Sequence, residues 1–136
     1  MLDASTIATC NRLLGMFPGV TVEHTTAHSS GRAGFILRIT ESASVYRLAC
    51  CASDACIPFL VWPVGQAWPL KKGATIDPDV SSPNRVQYQL AVEPSSAEDE
   101  QESRVITLCV GMAETLASLG LIEREEVREL RAGWGF

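Results

Sequence analysis

The sequence predicts an α+β domain with an N-terminal helix, an approximately five-stranded and mainly antiparallel sheet, and a long C-terminal helix followed by a short tail helix. Three observations predict it. Apolar residues recur at helical spacing near both ends of the chain, period-two alternation fills the middle, and the first strands are joined at hairpin length. With 136 residues, 46% hydrophobic and 20% charged, the chain carries enough apolar material for one core and too little length for two ordinary domains. Residues 1–136 therefore read as a single domain.

Ile7, Cys10, Leu14 and Phe17 follow one another at spacings of three, four and three, one face of a helix over residues 4–16 that Asp3 or Ser5 can cap. Pro18-Gly19 stops it, because proline disfavours helical geometry in the residue before it. In Val20 to Thr26 the valines and His24 share one face of a strand. After a Ser29-Ser30-Gly31 turn, Phe35, Leu37 and Ile39 share a face of the next, and the two read as a hairpin. A third strand is expected at Val45 to Ala52, with Tyr46, Leu48 and Cys50 on one side and Val45, Arg47 and Cys51 on the other. Ile57 to Trp62 does not alternate, and Pro58 places it at an edge or a strand start. Residues 63–84 hold four prolines, two glycines and both lysines, and read as a long loop. Val86, Tyr88, Leu90 and Val92 alternate with Gln87, Gln89 and Ala91 in a half-buried strand.

Residues 93–102 open the main helix, where Ser95 with Glu98, or Ser96 with Asp99, has capping-box spacing. Glu98, Asp99, Glu100 and Glu102 sit in its first turns, where the helix dipole favours anions. Val105, Leu108, Met112, Leu116 and Leu119 form its buried stripe, widened by Ile106 and Cys109. Gly120 is placed to end it, with Leu121 as the following apolar contact, and a charged helix runs from about Glu123 to Arg131.

Charge narrows the partners. The net charge is −5, and from Glu93 to Phe136 ten acids face four bases, whereas residues 1–92 carry six acids and seven bases. No basic stripe forms, which argues against direct nucleic-acid binding and against an anionic membrane surface. No apolar run approaches the length of a membrane span, no charged leader precedes an apolar stretch, and the five cysteines are odd in number. These features give the expectation of a cytoplasmic protein with reduced thiols.

Chemistry-bearing residues are scattered. His24, His28, Cys51 and Cys56 invite comparison with a zinc site, but residues four apart on a strand lie about 13 Å from each other, and no second tight ligand pair is present. Cys50, Cys51 or Cys56 with His24, and Asp54 nearby, could supply a thiol nucleophile and base, though no family-type motif surrounds them. No phosphate-binding loop or hydrolase signature occurs. No catalytic residue, metal or cofactor is therefore assigned, and the protein is expected to be a binder rather than an enzyme.

The feature without an evident internal use is aromatic. Pro58, Phe59, Trp62, Pro63, Trp68 and Pro69 crowd into twelve residues beside Lys71 and Lys72, and Trp134 and Phe136 close the chain. Aromatic side chains on loops and termini are what protein interfaces enrich. The expected partner-binding set is Phe59, Trp62, Trp68, Lys71, Lys72, Glu98, Asp99, Glu100, Glu102, Trp134 and Phe136, with another protein as the partner. The function expected from it is that of an inhibitor, immunity factor, chaperone or adaptor.

A small acidic chain of helix, antiparallel sheet and long helix resembles bacterial secretion chaperones and toxin-immunity proteins in general form. The chaperone pattern has a central helix between its strands, for which only residues 63–84 are left in this reading, and their prolines oppose it. Such chaperones are dimers, and the resemblance implies a possible homodimer through Ile106, Cys109, Gly111 and Ala113 of the long helix. Two other functions compete: a phage-type inhibitor whose acidic patch, Glu98 to Glu102 with Glu123 to Glu129, fills a basic nucleic-acid channel, and a small thiol-dependent hydrolase or transferase.

Overall fold

The structure, a computed structural model, describes residues 4–27, 33–63, 86–92 and 98–135. In chain order these form α1 (Ala4–Leu14), β1 (Val20–Ala27), β2 (Ala33–Ile39), α2 (Ser42–Asp54), β3 (Phe59–Pro63), β4 (Val86–Val92), α3 (Glu98–Ser118) and α4 (Arg124–Gly133). The sheet is antiparallel throughout, with strand order β1-β2-β4-β3. The fold is mixed α and β, but the expectation of about five strands is wrong: the described residues contain four strands and four helices. The third predicted strand is a helix.

That helix, α2, buries Ser44, Val45, Leu48, Cys51 and Ala52. Spacings of three and four among Val45, Leu48 and Ala52 put them on one helical face, and Tyr46, Cys50 and Ser53 fall on the other. Short apolar runs fit either period, and here the neighbouring elements decide. The ends of α2 also lack the usual signals. Its N-cap, Glu41, makes no side-chain capping hydrogen bond. Its C-terminal turn closes with Cys56 N–H donating to Ser53 O (3.1 Å) and Ile57 N–H to Ala52 O (2.9 Å), a Schellman pair. The residue at the left-handed position is therefore Cys56, at φ 56°, where glycine is the rule.

The same motif ends α3 in its ordinary form. Gly120, at φ 74°, donates to Ala117 O (3.0 Å), and Leu121 donates to Leu116 O (2.9 Å). Leu119 and Leu121 are nonetheless 36% and 42% exposed, so the buried stripe expected to reach Leu119 stops at Leu116.

Helix α1 buries Thr6, Cys10, Leu13 and Leu14 and starts at Ala4, so Ser5 lies inside it rather than capping it, and Ile7 is only half-buried. The Pro18-Gly19 turn follows and is tied to the corner between β2 and α2. Thr40 N–H donates to Gly19 O (2.9 Å), and the buried Ser44 hydroxyl donates to Pro18 O (2.6 Å). Gly19 sits at φ 72°, and a Cβ there would come within 2.7 Å of Thr40 Oγ1.

The hairpin of β1 and β2 pairs Val20 with Ile39 and Val22 with Leu37, then slips at Glu23 so that His24 pairs with Ile36. This bulge overturns the expectation that the valines and His24 share a face: Ile36 alternates with the buried Phe35 and Leu37. In β4, Tyr88 and Leu90 are buried, and among the described residues β3 lies at the sheet edge, where Pro58 pointed.

The helices gather on one side of the sheet, since Phe35, Leu37, Ile39, Tyr88 and Leu90 are buried while Arg38 is exposed. Helix α1 lies against β1, α2 against β2 and β3, α3 against both helices, and α4 against α3. From α3, Val105, Leu108, Cys109, Met112, Ala113 and Leu116 all reach zero exposure. Of the residues expected to form a homodimer seam on α3, Cys109 and Ala113 are core, whereas Ile106 and Gly111 are half-buried. Among the described residues no helix is long and apolar enough to cross a membrane.

Two stability outcomes follow from the turns. Holding an L-residue in the left-handed region costs about 1–2 kcal/mol, of which glycine returns part as unfolded-state entropy. Cys56→Gly should stabilise the chain by about 0.5–1 kcal/mol, seen as a rise of a few degrees in Tm. Gly19→Ala should do the reverse, lowering the urea midpoint by more than any substitution at exposed Gly133, which has open space around it.

Candidate functional site

Helices α2 and α3 touch along the bodies of Cys51 and Gly111 and part beyond them, leaving an open groove of about 300 Å³. Its α2 wall is Tyr46, Arg47, Cys50, Cys51 and Asp54, and its α3 wall is Gly111, Glu114, Thr115 and Ser118. The groove exists because small residues line α3 here, and its rim carries Tyr46, which is 69% exposed.

The thiols in and near it are poorly set for nucleophilic chemistry. Thr115 Oγ1 donates to Gly111 O (2.8 Å) and lies 3.6 Å from Cys51 Sγ, a contact in which either group can be the donor. Burial pushes the Cys51 thiol above its ordinary range. The Thr115 contact opposes that shift, while neighbouring Cys50 and the Asp54 carboxylate reinforce it. Cys10, on α1, is raised by its hydrogen bond to Cys109 of α3 and by burial. Cys50 and Cys56 are exposed. A reactive thiolate is favoured by burial-free, cationic surroundings or a helix N-terminus, whereas Cys51 is buried near the C-terminal end of α2 with the Asp54 carboxylate close by. Among the described residues no three His, Cys, Asp or Glu side chains converge on a possible metal position, and His28 lies outside those residues.

Comparison of the chain with protein-family models, with curated proteins and with solved structures finds no match. The site must be read from its own chemistry.

The residues expected to bind a partner are dispersed. Phe59 is half-buried and stacks on Tyr88, with ring centroids 5.7 Å apart and planes 12° from parallel, so its ring belongs largely to the core. Trp134 is also half-buried against the core. Trp62 pairs with Gln87 and Leu60 with Gln89, positions out of phase with the core-facing Phe59, Tyr88 and Leu90. Trp68, Lys71, Lys72 and Phe136 lie outside the described residues, as does nearly all of the 63–84 loop and the Ser95 and Ser96 caps.

Glu98, Asp99, Glu100 and Glu102 open α3, and Glu102 is half-buried. The second acidic cluster begins beyond the other end of that helix, and the helix from Glu102 to Ser118 spans about 24 Å. That cluster is also partly neutralised: Glu126 pairs with Arg12 (2.5 Å) and Glu125 with Arg128 (2.7 Å). The two clusters thus begin at different ends of α3.

Sequence reasoning missed the groove. A helical reading of residues 42–55 would have exposed Tyr46 and Cys50, but nothing in the sequence joins them to Thr115, more than sixty residues away.

The thiols give a pH test. A thiol with a raised folded pKa stabilises the native state fully below its unfolded pKa, about 8.5, and loses that contribution as pH climbs through the folded value. Cys51, Cys10 and the buried Tyr88, whose hydroxyl is raised by burial, all act in this direction. Urea unfolding free energy should fall between neutral and strongly alkaline pH, and Cys51→Ala should make that fall shallower. In maleimide labelling at neutral pH, Cys50 and Cys56 should react well ahead of Cys10, Cys51 and Cys109.

Proposed function

We propose that this chain is a non-enzymatic protein-binding module, and that among inhibitors, immunity factors, chaperones and adaptors the secretion-chaperone type fits it best. The supporting observation is α2 itself. It stands between the strand pair β1-β2 and the pair β3-β4, with α1 before and α3 after, which is the central helix the chaperone resemblance calls for. The strands Leu60 to Trp62 and Ile36 to Arg38 have alternate positions that the helical layer does not occupy, on a sheet whose β3 edge pairs on one side only among the described residues. An extended segment of a partner protein can add to such an edge, main-chain hydrogen bonds giving affinity and alternate side chains giving choice.

Two observations weigh against the rivals. The acidic clusters at opposite ends of α3 make a poor mimic of a continuous phosphate backbone. The buried thiol beside Asp54 is held in its neutral, weakly nucleophilic form.

The experiment is co-expression with the product of a gene encoded next to this one, followed by titration of the purified pair. Trp62→Ala should weaken the complex by about tenfold or more, as loss of an aromatic anchor does, while moderate salt changes affinity little. A complex that ignores Trp62→Ala but dissolves steeply with salt would assign the contact to the acidic clusters and overturn this reading.

A further inference from the structure

We infer that Cys10 and Cys109 are the site of a reversible disulfide that fastens α1 to α3, closed by a small peroxide and opened by a small dithiol. This goes beyond the binding reading and is independent of it, because neither cysteine lies on the β3 edge where a partner strand would add. All five cysteines are free thiols in the structure, so the pair is described in its open form.

The pair is set by the way α3 is wedged. Cys10 shares the buried face of α1 with Thr6, Leu13 and Leu14, and α1 lies against α3. Across that boundary Cys10 and Cys109 are hydrogen-bonded thiol to thiol, both side chains at zero exposure. Such a contact already points the two sulfurs at each other, and a disulfide requires that they close to about 2 Å. The third buried thiol does not compete. Cys51 Sγ meets Thr115 Oγ1 and lies beside Gly111. Gly111 follows Cys109 by two residues, which at about 100° per residue places it on the far side of α3.

Burial chooses the oxidant. A bulky disulfide such as oxidised glutathione does not reach thiols with no exposed surface, whereas hydrogen peroxide is uncharged and close to water in size. One sulfur, as thiolate, attacks a peroxide oxygen; the O–O bond breaks, and the hydroxide that leaves takes up the proton the thiol gave, leaving a sulfenic acid and one water. The other sulfur attacks the sulfenic sulfur, the S–S bond forms, and the displaced hydroxyl departs with the second thiol's proton as a second water. The two electrons lost by the sulfurs reduce the peroxide. Dithiothreitol reopens the bond by thiol–disulfide exchange. The ring so closed contains all four described strands and α2, and its closure restricts the unfolded chain far more than the folded one.

The test uses the whole chain in a Cys50→Ser, Cys56→Ser background, which removes the exposed thiols. After hydrogen peroxide treatment in native buffer, alkylation in urea and digestion without reductant, mass spectrometry should find the Cys10 peptide joined to the Cys109 peptide and Cys51 alkylated. Oxidised glutathione at the same concentration should leave all three thiols free to be alkylated. Closing a ring of about 100 residues should raise Tm by about 10 °C or more, a gain that dithiothreitol removes. Cys109→Ala keeps a small apolar side chain in the core and should show neither link nor gain, with circular dichroism checking its fold; the peptide map of the background chain decides the matter without it. Cys10 and Cys109 peptides that stay separate, a link that forms only in urea or runs to Cys51, a link that oxidised glutathione makes as readily, or a linked chain whose Tm does not rise overturns the inference. Each of these leaves the Trp62 experiment to stand or fall by itself.

Discussion

The fold rests on the wedging of α3 between α1 and α2. Six of its side chains, from Val105 to Leu116, are fully enclosed, and each such burial is worth about 1.5–3 kcal/mol relative to exposure for the larger ones. Without α3, Cys10 and Leu13 of α1 and Leu48 and Cys51 of α2 lose much of their cover, and the sheet keeps two helices with no common support. The antiparallel strands set where α1 and α2 begin, through the Pro18 and Gly19 links to Thr40 and Ser44, but α3 decides that they stay together.

That dependence explains which parts of the fold were legible in the sequence. Near the chain ends the apolar spacing is unambiguous, so α1, α3 and α4 emerge with nearly correct limits. In β2 and β4, Phe35, Leu37, Ile39 and Tyr88, Leu90 alternate without interruption, and both strands are where the pattern puts them. Helix α2 is different. Val45 and Tyr46 suit a strand, no side chain caps its start, and cysteine holds the left-handed turn that glycine normally marks. Its helical form comes from the slot that α3, β2 and β3 leave, a constraint with no local trace. The bulge at Glu23 is equally silent, because one extra residue after Val20 and Val22 leaves the composition strand-like while shifting the pairing phase at His24.

The groove shows the same limit at the level of function. Aromatic crowding directed attention to Phe59 and Trp134, and both are substantially used by the monomer's own core. Tyr46, placed with Leu48 by strand parity, turns outward once the period is 3.6 instead of 2, and it gains its neighbours only from a helix far along the chain. A single misjudged period thus hides a surface as well as an element.

The attachment of α4 has a consequence of its own. Val127 is its buried residue, with Leu130 and Trp134 partly buried against the core, and the Arg12–Glu126 and Arg131–Glu114 pairs fasten it at the surface. Exposed pairs of this kind contribute between about 0 and 1 kcal/mol and are screened by ions. This helix is accordingly the natural first unit to detach in partial opening, exchanging its amide hydrogens well before α3 does and baring the outer flank of the main helix while the sheet remains whole. The tail then behaves as a latch whose grip weakens with ionic strength, on a body whose integrity does not.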